Sequence, residues 1–152
     1  MRIEIGRPAP DFELADQHGQ PRRLSGFLGR RNVLLVFFPL AFSGICTGEL
    51  CELRDDLQAF DNEHTTTLAV SVDSPYANRV FADQEGLTFP LPSDFWPHGE
   101  VARLYEVFNR ERGFADRGTF IIDRRGIVRY RTVHRTGEPR DPDVYRKVLA
   151  EL

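Results

Sequence analysis

A chain of 152 residues, 41% hydrophobic and 28% charged, is long enough for one domain with a buried core and short for two, so a single domain over 1–152 is expected. A net charge of -3 and a pI near 5.8 speak against general nucleic-acid binding, which needs a basic excess gathered on one face. The longest apolar run, "VLLVFFPLAF", is half the length of a bilayer-spanning helix and holds a proline, and "MRIEIGRPAPDFEL" offers no apolar segment behind its basic residue. No membrane span and a cytoplasmic location are therefore expected.

In chain order, "PDFELADQHGQPRRLSGFLGRR" alternates short apolar pieces with turn residues such as "HGQP", which predicts small strands leading inward. Val33 to Phe38 is a continuous apolar, β-rich run, the pattern of a central strand buried on both faces. After Gly44, Leu50, Leu53, Leu57 and Phe60 fall three and four apart and predict a helix of about four turns. "TTLAVSVD" predicts a second buried strand, and "SPYANRVFADQEG" a helix opened by Ser-Pro and closed by glycine.

"FPLPSDFWPHG" is proline-broken loop, and "EVARLYEVF" has helical spacing at Val101, Leu104 and Phe108. "GTFIID" and "GIVRYRTV" predict a hairpin joined by "RRG", and "DPDVYRKVLAEL" a last helix with Asp and Pro at its start. Parallel β-α-β units feeding an antiparallel hairpin imply an α/β fold with a mixed central sheet flanked by helices. This order resembles the thioredoxin-like architecture, with an extra N-terminal extension. The nine arginines from Arg110 to Arg140 alternate with Glu111, Asp116, Asp123, Glu138 and Asp141, which predicts for most of them a solvated mixed-charge surface.

Both cysteines, Cys46 and Cys51, lie in "SGICTGELC". Cys46 is in line with the apolar stripe of the predicted helix, where an inert core cysteine would also sit. It also falls in the first turn, where unpaired N–H groups and the positive end of the helix dipole favour thiolate over thiol. Periodicity leaves both readings open. A static disulfide is disfavoured in a reducing compartment. Pro39 would end the strand without needing an N–H partner, and Ser43 places a hydroxyl three residues before the sulfur.

"PLAFSGIC" resembles the peroxiredoxin signature, in which a proline, a threonine or serine and the peroxidatic cysteine follow at this spacing, and "RGTFIID" resembles the later segment whose arginine reaches that cysteine. With "PAPDFEL", "SDFWPHG", "YEVFN" and "GTFIIDRRGIVR", the chain is similar over nearly its whole length to the alkyl hydroperoxide reductase E group. The resemblance implies that Cys46 attacks peroxide and becomes a sulfenic acid. Ser43 would orient the peroxide, Pro39 would shield the site, and Arg117 would lower the cysteine pKa and stabilise the transition state. Glu49 matches an acidic position of the family: it either holds the arginine or is an exposed glutamate that favours the helix dipole.

Cys51 departs from relatives that use one cysteine and is similar to the resolving cysteine of Q-type peroxiredoxins. On a regular helix, residues five apart are separated by about 140° and by roughly 8.6 Å between α-carbons. A disulfide needs less than about 7 Å, so a Cys46–Cys51 bond requires the start of the helix to unwind. Gly44 and Gly48 suit such unwinding.

The resemblance further implies a homodimer and no cofactor. The expected substrates are hydrogen peroxide, organic hydroperoxides and peroxynitrite, and the expected reductant is thioredoxin, a mycoredoxin or a glutaredoxin-type protein. The rival readings are a one-cysteine peroxidase with Cys51 inert, a disulfide reductase, which would normally carry C-x-x-C, and a metal-binding protein. For the last, Cys46, Cys51, His18, His64, His98 and His134 show no tight ligand spacing.

Overall fold

The computed structural model describes residues 3–134 and 141–152, with the backbone alone at 45–48. Arg135, Glu138 and Arg140 of the arginine-rich segment lie outside the described residues.

The N-terminal extension makes the short antiparallel pair β1 (Glu13–Ala15) and β2 (Pro21–Arg23), joined by the "HGQP" turn and followed by a 3-10 turn at Leu24–Phe27. Asp16 holds that turn, accepting from the backbone of His18 at 2.8 Å and Gln20 at 3.0 Å and from Arg22 Nε at 2.8 Å. β3 (Asn32–Phe37) then enters the core with all six residues buried. α1 (Ile45–Asp55) and α2 (Leu57–Phe60) return the chain to β4 (Thr65–Val70), which pairs in parallel with β3.

α3 (Pro75–Glu85) starts at Ser74, whose side chain accepts from Ala77 N, and stops at Gly86, whose left-handed φ of 68° a side chain would resist. α4 (Glu100–Leu104) and the short pair β5 (Phe108–Asn109) and β6 (Phe114–Ala115) lead to β7 (Arg117–Ile122). The "RRG" turn joins β7 to β8 (Val128–His134) in an antiparallel pair, and α5 (Pro142–Ala150) ends the fold, capped by Asp141.

The main sheet runs in the order β4-β3-β7-β8, with β3 parallel to β4 and antiparallel to β7. Because side chains alternate along β3, Leu35 and Phe37 pack on one face with Leu68, Tyr105 and Phe120. Leu34, Val36 and Phe38 pack on the other with Leu50, Leu53, Phe60, Phe81 and Tyr145. Helices α1, α3 and α5 cover this second face, while α4 and the N-terminal segment cover the first. The mixed, two-sided sheet is the architecture expected from the order of elements.

Two elements differ from expectation. The helix expected through Phe60 breaks at Asp56, which leaves helical geometry at φ -125°, ψ 44°. Its carboxylate takes Arg146 Nε of α5 at 2.7 Å, while the apolar stripe still buries Leu50, Leu53 and Phe60. In "EVARLYEVF" the helix stops at Leu104, which is 41% exposed, and Phe108 belongs to a strand. Tyr105 carries the burial instead: it is fully buried, and its hydroxyl donates to Pro10 O at 2.6 Å, which pulls the chain out of the helical stripe.

Among the described arginines between 110 and 134, Arg110 and Arg112 are exposed and Arg129 pairs with Asp123 at 3.2 Å, a solvated surface as expected. Arg117 is the exception, at 2% exposure.

Candidate active site

The site forms where the buried strand β3 ends. Phe38 N donates to Val70 O, the last bond between the parallel strands, and Pro39 follows with no N–H to continue the ladder. The next residues loop out over the C-terminal edge of the sheet. Ala41 N donates to Asp73 Oδ2 at 2.8 Å, and the same oxygen accepts Ser71 Oγ at 2.7 Å. Phe42, at φ 67°, sets its ring edge-on to Phe81 of α3 with centroids 5.2 Å apart. The loop is thus tied to the end of β4 by polar bonds and to α3 by an aromatic contact.

Ser43 is half-buried and its hydroxyl donates to Leu40 O, which commits its hydrogen and leaves its oxygen as an acceptor. Gly44, at φ 46°, turns the chain into α1 and has no side chain with which to cap the first turn. The first turn of α1 therefore takes no side-chain cap from the residue before it, and the positive end of the helix dipole lies at this point of the loop. Cys46 is the second residue of this helix, and the helix runs unbroken through Cys51 to Asp55.

Arg117 is the first residue of β7, which pairs with β3 on the side opposite β4. Since β7 runs antiparallel to β3 with Thr119 opposite Val36, its first residue lies beside the end of β3. Arg117 Nη1 forms a hydrogen-bonded ion pair with Glu49 Oε1, and the two side chains are 2% and 6% exposed. Positions 46 and 49, three apart, share a face of α1. Of the two readings of Glu49, the structure supports the one in which it holds the arginine, because the carboxylate is buried and paired.

Cys51 lies farther along α1, half-buried, with its Sγ donating to Glu85 Oε2 of α3 at 3.6 Å. Burial, with Glu85 and Asp55, pushes this thiol above its ordinary pKa against the opposing pull of Arg54. A folded Cys51 is therefore a poor nucleophile.

"SDFWPHG" is linked to the site through Asp73, whose carbonyl accepts Ser93 Oγ at 2.6 Å. Its aromatic residues, Phe95 and Trp96, are exposed, and Trp96 and Pro97 line a small cavity together with residues 11–14 of the N-terminal segment. Two participants escaped the reading of the sequence: Asp73, which fixes the loop, and Glu85, which meets Cys51. Asp73 had a signal, because it follows the strand parallel to β3 and so must end near the same sheet edge. Glu85 had none.

Among the described residues no group of three His, Cys, Asp or Glu side chains is placed to hold a metal ion, and no helix is long and apolar enough to cross a membrane.

With a buried arginine paired to Glu49 on the cysteine-bearing helix, at the end of a thioredoxin-like sheet, the chain falls in the class of thiol-dependent peroxidases. The model of the AhpC/TSA family matches residues 5–131, and the chain belongs to that family as a peroxiredoxin. It is 51% identical over 150 residues to alkyl hydroperoxide reductase E of Mycobacterium tuberculosis and of Mycobacterium bovis, covering 99% of this chain and 98% of those proteins. The crystal structure of peroxidoxin BcpB from Mycobacterium tuberculosis superposes with a TM-score of 0.88 at 31% identity, over 99% of both chains. The reduced 2-Cys peroxiredoxin of Plasmodium vivax superposes with a TM-score of 0.85 at 27% identity, over 96% of this chain and 80% of that one.

Proposed function

We propose that Cys46 is the peroxidatic residue and that this peroxiredoxin reduces hydrogen peroxide and organic hydroperoxides, with peroxynitrite as a third substrate. The observation that carries the assignment is the buried Arg117, held by Glu49 on the face of α1 that position 46 shares. Taking a guanidinium out of water is costly unless its charge is used, and Glu49 holds this one on the helix where a thiolate and then an alkoxide would form.

The Cys46 thiolate attacks one peroxide oxygen and the O–O bond breaks. Sulfur becomes a sulfenic acid, and the departing oxygen leaves as alkoxide or hydroxide and takes a proton from solvent. Ser43 accepts the peroxide hydrogen, since its own hydrogen is committed to Leu40 O. Pro39 shields the sulfur from bulk water. Arg117 and the N–H groups of the first turn lower the cysteine pKa and follow the charge to the leaving oxygen.

Cys51 then resolves the sulfenic acid as an intramolecular disulfide with loss of water, and a thioredoxin, mycoredoxin or glutaredoxin-type protein reduces it. The unbroken α1 is the reduced, folded form of this cycle, and disulfide formation requires its N-terminal turns to open. The protein acts in the cytoplasm as a homodimer.

The test is single-turnover mixing with each peroxide, following Trp96 fluorescence and the tryptic disulfide by mass spectrometry. Cys46→Ser should abolish peroxide consumption, while Cys51→Ser should keep the first turnover and lose the disulfide. Unchanged turnover in Cys46→Ser overturns the assignment. One observation favours a second reading, a one-cysteine peroxidase resolved by an external thiol: the folded Cys51 is engaged with Glu85 and has a raised pKa. In that case wild type would hold a stable sulfenic acid with Cys51 free.

A further inference from the structure

We propose that Glu85, at the C-terminal end of α3, is the latch that holds the Cys51 thiol in the folded helix, and that its release sets the rate at which the Cys46–Cys51 disulfide forms. The inference rests on the reading of Cys51 as the resolving residue and assigns Glu85 a positioning role in that step.

Two bonds from α1 converge on this one residue. Cys51 Sγ donates to the Glu85 carboxylate at 3.6 Å, and Arg54 Nη1 donates to the Glu85 carbonyl. That carbonyl is open to Arg54 because α3 ends there, with Gly86 in the left-handed conformation and the arginine stem against it: a Gly86 Cβ would lie 3.8 Å from Arg54 Cδ.

The two bonds have different fates when α1 opens. Leu53, at 2% exposure, and Arg54 lie beyond Cys51 and anchor the part of the helix that need not move. The Arg54 bond can therefore persist as the fixed end. The Cys51 bond cannot, because the sulfur must leave Glu85 to reach Cys46.

The charged groups around the thiol are Arg54 and Asp55 on its own helix and Glu85 on α3. The Glu85 carboxylate opposes resolution twice, as acceptor for the S–H and as a negative charge beside the site of the thiolate. Once free, Cys51 loses its proton to solvent, and its thiolate attacks the Cys46 sulfur. The S–O bond breaks, and the hydroxide that leaves is protonated to water. Glu85 takes no part in these covalent changes. It governs how often the thiol is available.

The test uses Glu85→Gln, which removes the charge, and Glu85→Ala, which removes charge and acceptor. Asp83→Asn, an exposed site on the same helix, is the control. Rapid quench and mass spectrometry follow disulfide formation after one equivalent of peroxide. Losing one weak hydrogen bond should speed it about fivefold in Glu85→Ala, less in Glu85→Gln, and not at all in the control, with the initial peroxide reaction unchanged in all three. In a Cys46→Ser background, the pH midpoint for alkylation of Cys51 should fall in both Glu85 variants, a change that loosening of α3 alone would not produce.

Disulfide formation at the wild-type rate or slower in Glu85→Ala overturns the latch and leaves the resolving role of Cys51 intact. Equal acceleration in the control, or an unmoved alkylation midpoint, also overturns it. Wild type that forms no Cys46–Cys51 disulfide overturns the resolving role itself, and the latch with it.

Discussion

Replacing Arg117 by Met tests whether the buried ion pair serves catalysis or only the fold. The change removes the guanidinium from a Glu49 carboxylate that is 6% exposed, so the magnitude for a buried pair applies, and not the near-zero value of a surface one. That is a loss of about 3–5 kcal/mol. With an unfolding entropy of about 2.1 cal/mol/K per residue over this chain length, the melting temperature should fall by about 9–16 °C.

Adding Glu49→Leu leaves two apolar groups of similar bulk where the charges were, and most of the lost stability should return. The peroxide reaction behaves differently. Arg117→Met should slow the first turnover at least about a hundredfold, the usual cost of losing a donor to developing charge, and the double variant should stay slow. Thermal melts and single-turnover mixing read the two quantities separately. A double variant that regained both stability and rate would refute the reasoning, because Arg117 would then act only through packing.

Two further outcomes follow from the scaffold. Burial acts to raise the pKa of Asp16, but its bonds from Arg22, Gln20 and His18 outweigh this and hold it below its ordinary value of 3.8. The unfolded chain therefore binds this proton more readily, and the stabilisation from Asp16 is complete above pH 3.8 and disappears as pH falls through the lower folded value. Urea midpoints of wild type and Asp16→Asn should differ at pH 7 and converge in acid. If the gap does not change with pH, the charge is not its source.

Gly118 follows Arg117 with Val107 packed over it, and an added Cβ would stand 2.8 Å from Val107 Cγ1. Gly118→Ala should cost about 1–3 kcal/mol. The cost measured in a Val107→Ala background should be smaller, and an equal cost in both would exclude this clash.

Much of the architecture was legible because it follows from local periodicity. The Val33 to Phe38 run has the apolar, β-rich pattern of a strand buried on both faces, Ser-Pro and Gly86 bracketed α3, and "RRG" marked the β7-β8 hairpin. The break at Asp56 was not legible, since the apolar stripe of 50, 53, 57 and 60 continues across it. What separates α1 from α2 is a carboxylate that meets Arg146 from the far end of the chain. The end of α4 was hidden for a similar reason: Tyr105 finds its partner in Pro10.

The site divides along the same line. The sequence by itself determined the proline, hydroxyl and cysteine of the candidate site and their place between a buried strand and a helix start. Close spacing along the chain leaves such residues few other arrangements. Only the tertiary structure decided that Glu49 is buried on Arg117 and that Cys51 rests against Glu85, because those partners are 68 and 34 residues apart. A charged side chain carries no local mark of the partner it will meet. It is strand register that carries Arg117 to the end of β3, and helix packing that sets α3 against α1.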